Sequence, residues 1–240
     1  MKLDLVFLKT AGGATVAALD YGPRRARGVT LVVGHGYSSS KANLDLLCAF
    51  LASHGFRLVS IDFPGHKLGA SGGRLDSVDD LVEALAAAVA YARQESPLAI
   101  YAMGHSMGAT TALRTAAADP RIAGAVAIAS GYGRPGALAA LGRFGTVDLR
   151  AAYVDGLSLP EIVAASEPLL DAALAELAGR PVLYVAAEHD AMVSLAGARE
   201  LFARAPEPKE FATVDSDHTY AGERARAAVL GWLDARHPRT

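Results

Sequence analysis

Short apolar runs alternate with longer segments of helical periodicity along most of the chain. Continuous apolar runs are typical of strands buried on both faces, and their alternation with helices is typical of a mostly parallel sheet. The pattern predicts eight strands, at residues 3–8, 14–20, 29–33, 57–61, 98–103, 122–129, 181–187 and 209–214. Because Gly12-Gly13 is a turn signal, we expect the first two strands to form an antiparallel hairpin at one edge.

Helical patterns fill the intervals between these strands. The pattern over residues 78–95 has an apolar stripe at helical spacing, and Ser77 and Asp80 before and within it have the spacing of a capping box. Another helix is predicted to begin after residue 106 and to end near Ala118, because Pro120 follows. Further helices are predicted at residues 41–53, 167–178, 194–204 and 220–236.

One interval is longer than the others. About fifty residues separate the sixth and seventh predicted strands, whereas connections in such folds are usually short. We expect residues 131–166, which contain two groups of turn formers, to form a small cap inserted over the sheet. Neither an internal repeat nor a Pro/Gly-rich linker divides the chain, so residues 1–240 are predicted to form a single α/β domain with helices on both faces of the sheet.

The amino-acid composition limits the kinds of molecule that this chain is expected to bind. Apolar residues make up 52% of the chain and charged residues 20%, the formal net charge is −2, and no basic stripe is present. These values are typical of a globular protein and disfavour nucleic acid as a partner. No apolar run reaches the length of about 18–20 residues that a membrane span needs, and the first residues are too interrupted for a signal peptide, so a cytoplasmic location is expected.

Residue usage adds two further expectations. Cys48 is the single cysteine, which excludes an intramolecular disulfide, and five lysines against eighteen arginines suggest a bacterial source. Either a monomer or a homodimer is compatible with the sequence. No Cys/His cluster has metal-ligand spacing, so neither a metal nor an organic cofactor is expected.

The strongest chemical signal is the motif Gly-His-Ser-Met-Gly at residues 104–108, which directly follows an apolar run and directly precedes a helical pattern. A nucleophile elbow of the type Gly-x-Ser-x-Gly requires this strand–turn–helix context. Glycines at both ends leave room for a tight turn, and the helix N-terminus favours developing negative charge. We therefore predict Ser106 as a nucleophile. The alternative is a turn serine without chemistry, because so short a motif also recurs by chance.

A serine hydroxyl is a weak nucleophile and needs a base that is itself oriented by an acid. His218 lies just after the last predicted strand, where open α/β sheets build their sites, and is the predicted base. Asp190, after the seventh strand, is the predicted acid; Asp215, Asp217 and Glu188 remain as alternatives. The other histidines considered lie in polar, terminal, elbow or turn settings: His54, His237, His105 and His66.

An oxyanion hole completes the predicted site. One donor should be the backbone N–H of Met107, the residue after the nucleophile, and the other that of Tyr37 in the loop after the third strand. Alternatively, the Tyr37 side chain has no hydrogen-bonding role and its ring only forms an aromatic wall of the pocket. Predicted substrate-binding residues are Tyr37, Tyr132, Tyr153 and Val193, with Phe144 and Leu157 as further candidate wall residues that could instead pack within the cap.

With these residues in place, the chain resembles the α/β-hydrolase superfamily over nearly its whole length. The matching landmarks are His35-Gly36, the stretch Asp-Phe-Pro-Gly-His at residues 62–66, the elbow at 104–108, and the loops with Asp190 and His218, in the chain order of that fold. The sequence is most similar to small bacterial esterases and serine-aminopeptidase-like hydrolases, which implies Ser106, Asp190 and His218 as the triad. The turn at residues 65–71 is longer than the family pattern, and Ala187 stands where glycine is frequent.

The expected activity is hydrolysis of small-molecule carboxylic esters or thioesters with small to medium acyl groups, through an acyl-enzyme. The same triad could serve an aminopeptidase-like amide hydrolase, with Glu161 or Glu167 binding the substrate amine, or an acyltransferase or perhydrolase. A ligand-binding receptor or inactive scaffold on this fold is the alternative outside enzymes.

Overall fold

The computed structural model describes residues 1–142 and 148–239. Eight strands run through them: β1 (Lys2–Lys9), β2 (Thr15–Gly22), β3 (Val29–Gly34), β4 (Arg57–Ile61), β5 (Ala99–His105), β6 (Gly124–Ile128), β7 (Val182–Ala187) and β8 (Lys209–Val214). They form one sheet in the order β1-β2-β4-β3-β5-β6-β7-β8. β2 pairs antiparallel with β1 and β4, and the remaining pairs are parallel. The predicted α/β fold and its edge hairpin are confirmed.

Helices cover both faces of this sheet. Their bounds are α1 (Asp45–Ser53), α2 (Val78–Arg93), α3 (Met107–Ala118), α4 (Arg134–Gly142), α5 (Leu159–Ser166), α6 (Leu170–Ala175), α7 (Leu195–Arg204), α8 (Ala221–Arg224) and α9 (Arg226–Arg236). One buried apolar cluster packs α2 and α3 on one face through Leu85 and Leu113. A second cluster packs α1 and α9 on the other face through Leu51 and Trp232. The sheet is thus buried between two helical layers, as its apolar strands require.

Several element boundaries differ from the sequence pattern. The predicted helix 41–53 is a 3₁₀ turn (Lys41–Leu44) followed by α1, and the predicted helix 220–236 is divided into α8 and α9. Strand β6 is shorter than residues 122–129, because the Ile122 N–H still bonds to the Asp119 carbonyl in the turn after α3 and Ala129 leaves the extended region with φ 54°. The capping box at α2 forms as predicted: the Ser77 hydroxyl accepts from the Asp80 N–H at 3.3 Å, and Asp80 accepts from the Ser77 N–H at 2.8 Å.

The described part of the predicted cap, residues 131–142 and 148–166, contains α4, a 3₁₀ turn (Asp148–Tyr153) and α5. Two isolated bridges connect it to the loop after β4, one between His66 and Val154 and one between Leu75 and Gly156. Phe144 lies outside the described residues. Among the residues that are described, no helix is both long enough and apolar enough to cross a membrane.

Candidate active site

Ser106 occupies the sharp turn between β5 and α3. Its backbone has φ 56° and ψ −115°, a region that L-residues other than glycine rarely adopt and that stores strain. The two flanking glycines are sterically required: a Cβ at Gly104 would overlap the Gly108 carbonyl, and one at Gly108 would overlap the Gly34 carbonyl. The sequence therefore folds here into an elbow that holds the Ser106 side chain at the carboxyl end of the sheet.

Three loops at this end of the sheet bring Ser106, His218 and Asp190 together. His218 Nε2 lies 2.9 Å from Ser106 Oγ, and His218 Nδ1 lies 2.7 Å from Asp190 Oδ2. The other oxygen of Asp190 accepts the backbone N–H groups of Met192 and Val193, each at 2.8 Å. A hydroxyl, an imidazole and a carboxylate in this linear arrangement can move a proton from Ser106 to His218 while Asp190 orients the ring.

The Asp190 carboxylate is almost completely buried, with 1% of its side chain exposed. Burial acts to raise the pKa of Asp190, but the hydrogen bonds from His218 and from two backbone N–H groups hold that pKa below its ordinary value. The alternative acids do not take this place. Asp215 lies 3.1 Å from the exposed His189 ring, and Asp217 accepts the Tyr220 N–H at 3.1 Å.

The loop after β3 packs directly against the elbow. A Cβ placed on Gly36 would lie 3.2 Å from His105 Nδ1 and 3.5 Å from the Ser106 Cβ, so this loop is in van der Waals contact with the elbow. His35 fixes its course: Nδ1 donates to the Gly36 carbonyl at 2.7 Å, and Nε2 accepts the Phe63 N–H at 3.0 Å. The sequence marked His35 only as part of a motif. The structure gives it a defined tautomer and a role in positioning the residues before Tyr37.

Two buried histidines lie edge to face beside this loop. The rings of His35 and His66 are 4.9 Å apart, and the two residues are 0% and 2% exposed. Burial, reinforced by the neighbouring His66, lowers the pKa of His35 to about 3. Burial also lowers the pKa of His66. His66 lies in a turn, where a structural role is expected for it. Its Nδ1 lies 3.0 Å from the Pro64 carbonyl within that turn, which is consistent with such a role.

We expect the fold to lose stability as the pH falls from 7 to 5. In the unfolded chain His35 takes up a proton near pH 6.5, whereas in the folded chain it does so only near pH 3. Between these values protonation favours the unfolded chain. The free energy of unfolding therefore declines as the pH falls below 6.5. For this group alone the loss is about 2 kcal/mol over that interval. Urea unfolding at the two pH values measures it, and His35→Asn should reduce the pH dependence. His189→Gln, which removes an exposed histidine, is the control; an equal pH dependence in wild type and His35→Asn would contradict the argument.

A cavity of about 450 Å³ opens in front of Ser106. Tyr37, one of the predicted substrate-binding residues, lines it. Side chains that the sequence did not single out as walls also line it: Asn43, Leu44, Arg150, Leu159, Ala191 and Met192. Met192 lies two residues after Asp190 in the loop after β7, so its place in the sequence could have indicated that it lines the cavity. Arg150 and Leu159 approach from the predicted cap, and only tertiary packing places them here.

Three predicted substrate-binding residues lie elsewhere. The Tyr132 hydroxyl donates to Asp171 at 2.6 Å beneath the Arg204 guanidinium, which lies 4.4 Å from the Tyr132 ring centre. Val193 is 3% exposed in a small apolar cluster with Ala186 and Ala198. Tyr153 is 40% exposed and packs against Arg150. None of the three lines the cavity, so the prediction is corrected for them; Leu157 likewise packs against the core.

Arg134, at the start of α4, is a site residue that the sequence pattern did not indicate. Its Nη2 donates to Ser106 Oγ at 3.3 Å, and the residue is only 5% exposed. The sequence offered a weak signal, a cation in a turn-rich stretch after β6, but nothing that indicated contact with Ser106.

One possible metal-binding group occurs within residues 1–142 and 148–239. Ligand atoms of Glu188, His189 and Asp215 lie within 4.8 Å of one another, and all three residues are exposed. His189 is at the edge of the cavity, but the group contains none of the residues that contact Ser106. Exposed acidic groups of this kind are common without a metal, so the group adds no argument for metal chemistry.

Similar structures share the fold along the whole chain. A hypothetical protein of Pseudomonas aeruginosa has a TM-score of 0.77 at 18% identity, covering 98% of this chain and 94% of its own. The α/β hydrolase GrgF of a Penicillium species has a TM-score of 0.72 at 22% identity, covering 99% of both chains. An esterase of Pyrococcus furiosus has a TM-score of 0.71 at 20% identity, covering 98% of this chain and 90% of its own. At these identities the likeness shows the fold.

Sequence comparison identifies the family. A serine hydrolase-like protein of Dictyostelium discoideum is 34% identical over 113 residues, which are 46% of this chain, and the match spans 30% of that relative's length. The family model described as serine aminopeptidase, S33, matches residues 25–159, more than half of the chain. The chain therefore belongs to the serine aminopeptidase S33 family, and its fold is that of an α/β hydrolase.

Proposed function

We propose that the chain is a serine hydrolase that cleaves carboxylic esters or thioesters of small to medium acyl groups through an acyl-enzyme. The observation that carries the proposal is the hydrogen-bonded series Ser106 Oγ, His218 Nε2, His218 Nδ1 and Asp190 Oδ2, with distances of 2.9 and 2.7 Å. A serine that is only structural would not need a base at hydrogen-bond distance and a buried carboxylate behind it. The same series disfavours an inactive scaffold or a receptor.

The reaction follows from this geometry. Ser106 Oγ attacks the carbonyl carbon while its proton passes to His218 Nε2, and the leaving alcohol or thiol takes that proton as its bond to the acyl group breaks. Water then attacks the acyl-enzyme and gives its proton to His218, which returns it to Ser106 as the acid leaves. The N–H groups of Met107 and Tyr37 are the proposed oxyanion donors, each typically worth about 3 kcal/mol of barrier.

The cavity supports a small to medium acyl group. Its volume of about 450 Å³ is near the lower end of small-molecule sites, and Leu44, Leu159 and Met192 give it apolar walls. The family name and the relatives support two bond types, since one relative is an esterase and the family is that of a serine aminopeptidase.

Amide cleavage is supported less well. The two acidic residues that the sequence offered for binding a substrate amine are engaged elsewhere. Glu161 accepts the Ser158 N–H at 2.8 Å at the start of α5, and Glu167 accepts the Gly133 N–H at 3.2 Å. Neither lines the cavity, which favours an ester over a peptide.

A fluorophosphonate probe and a panel of p-nitrophenyl esters test the proposal. We expect the probe to modify Ser106, identified by peptide mass spectrometry, and His218→Gln to slow the labelling by about 10²- to 10⁴-fold, the usual contribution of a general base. Turnover should peak between the acetate and octanoate esters. Best turnover on a palmitate ester, or on an aminoacyl p-nitroanilide, would contradict the proposed substrate class; absence of labelling would contradict the mechanism.

A further inference from the structure

Arg134 is a buried cation that lacks a partner of opposite charge among the described residues. It is 5% exposed, and among the side chains that the structure describes no ion pair within 4.0 Å involves it; the carboxylates of Asp190 and Glu167 act on its charge from beyond that distance. Its Nε also lacks a hydrogen-bond partner in that part of the chain. Glu167 lies nearby but is bonded to the backbone N–H groups of Gly133 and Arg134, at 3.2 and 3.3 Å. An arginine stays protonated under ordinary conditions, so this arrangement places a desolvated positive charge in the fold at a cost to stability.

That charge is directed at the nucleophile. Arg134 Nη2 is 3.3 Å from Ser106 Oγ, on which His218 Nε2 also lies at 2.9 Å. A hydroxyl has one hydrogen and two lone pairs. When Ser106 donates to His218 and accepts from Arg134, one lone pair remains free to attack a carbonyl carbon, so the two contacts are compatible with nucleophilic attack.

The surroundings of Arg134 exclude a bulky substrate group as its counter-charge. Arg134 does not line the 450 Å³ cavity in front of Ser106. It lines a separate cavity of about 10 Å³ with Met107, Thr110 and Ile162, which has room for about one water. Glu167 also lines this small cavity, but its carboxylate is bonded to backbone N–H groups. Among the described residues, the reacting atom that the guanidinium contacts is Ser106 Oγ.

From these observations we propose that Arg134 is a further catalytic residue, whose guanidinium stabilises the negative charge that develops on Ser106 Oγ. The inference rests on the proposed function. In the acyl-enzyme Oγ is an ester oxygen and a poor acceptor. When water attacks and the bond between Oγ and the acyl carbon breaks, Oγ takes the electron pair, accepts the hydrogen bond from Arg134 strongly and receives its proton from His218. Because the interaction is strongest in the transition state, it accelerates deacylation.

Burst kinetics with p-nitrophenyl acetate test the role. In Arg134→Met, which replaces the cation with an apolar side chain of similar length, we expect kcat to fall by about 10- to 100-fold, the loss typical of one hydrogen bond from a charged donor. KM should fall with it, and the burst should approach one p-nitrophenol per active site, because the acyl-enzyme accumulates. Arg134→Lys, which keeps the charge, should recover part of kcat.

Thermal unfolding separates a catalytic role from a structural one. Removing an unpaired buried charge should leave Tm of Arg134→Met unchanged or raise it, whereas a structural arginine would lower Tm. A lowered Tm with kcat reduced equally in the Met and Lys variants would overturn the inference, and so would an unchanged kcat in Arg134→Met. If the wild-type chain shows no turnover that depends on Ser106, the proposed function fails instead, and the two failures are thereby distinguished.

Discussion

Replacing Ser106 with alanine should lower kcat/KM for p-nitrophenyl acetate by about 10⁴- to 10⁶-fold, because the covalent route is lost when the nucleophile is removed. The oxyanion donors and the substrate cavity remain in the variant, so a small residual rate above that of water is expected. The measurement is initial-rate kinetics on the purified wild type and variant at equal concentration, with Tm measured on the same samples.

The fold of Ser106→Ala should be retained. Alanine fits the same turn, and within the part of the chain that the structure describes the Ser106 hydroxyl bonds only to the side chains of His218 and Arg134. Ser130→Ala is the matched control: Ser130 is also buried after a central strand, and its Oγ lies 3.2 Å from Thr110 Oγ1. Activity above a tenth of wild type in Ser106→Ala, with normal activity in the control, would show that another residue is the nucleophile.

Replacing Asp62 with alanine should lower the free energy of unfolding by about 3–5 kcal/mol, the usual effect of removing one partner of a buried ion pair. The Asp62 side chain is 0% exposed at the end of β4 and pairs with the Lys41 ammonium at 2.5 Å. Its oxygens also accept the backbone N–H groups of Lys41 and Ala70, each at 2.8 Å. Alanine would leave without their acceptor an ammonium on a side chain that is only 13% exposed and two partly buried backbone N–H groups.

Urea unfolding measures this loss. The matched control is Asp155→Ala, since Asp155 pairs with Lys67 at the surface, where both side chains are about half exposed and a pair is worth about 0–1 kcal/mol. In the double variant Lys41→Ala/Asp62→Ala part of the stability should return, because the uncompensated cation is removed. Equal losses in the Asp62 and Asp155 variants would show that burial does not set the strength of the pair at Asp62.

The position of Asp62 also connects stability with the site. Lys41 begins the 3₁₀ turn that follows the loop containing Tyr37, and Ala70 lies in the long turn after β4. Asp62 thus ties together two segments near the cavity. The sequence marked residues 62–66 only as a family landmark, since neither a charge nor its spacing reveals that a carboxylate will be buried with a lysine from another loop.

The sequence pattern was sufficient to predict those elements whose formation depends on residues close together in the chain. Continuous apolar runs predicted the strands, Ser77 and Asp80 predicted the start of α2, and Gly104 and Gly108 predicted the elbow around Ser106. Each depends on neighbours within a few residues in the chain. The boundaries that were missed, such as the division between α8 and α9, depend on how a segment packs against the rest of the fold.

The residues of the candidate site also divide into those that chain order predicts and those whose position depends on tertiary packing. His218 and Asp190 could be chosen because the carboxyl ends of parallel strands meet at one edge of a sheet, which makes chain order informative about position. Tyr132, Tyr153 and Val193 were chosen as apolar walls from their sequence positions, and the structure places them away from the cavity. Whether an apolar side chain lines a cavity or the core depends on the direction in which its segment is packed, and periodicity does not encode this in an irregular region.

The sequence by itself determined the sheet, the elbow and the residues expected to carry the chemistry, because strands, tight turns and strand-end loops follow from local sterics and chain order. Only the tertiary structure decided which groups surround Ser106. Arg134 reaches Oγ, His35 fixes the loop before Tyr37, and Arg150 and Leu159 line the cavity. These contacts join residues far apart in the chain, and their free energy comes from burial and charge, which are properties of the packed molecule.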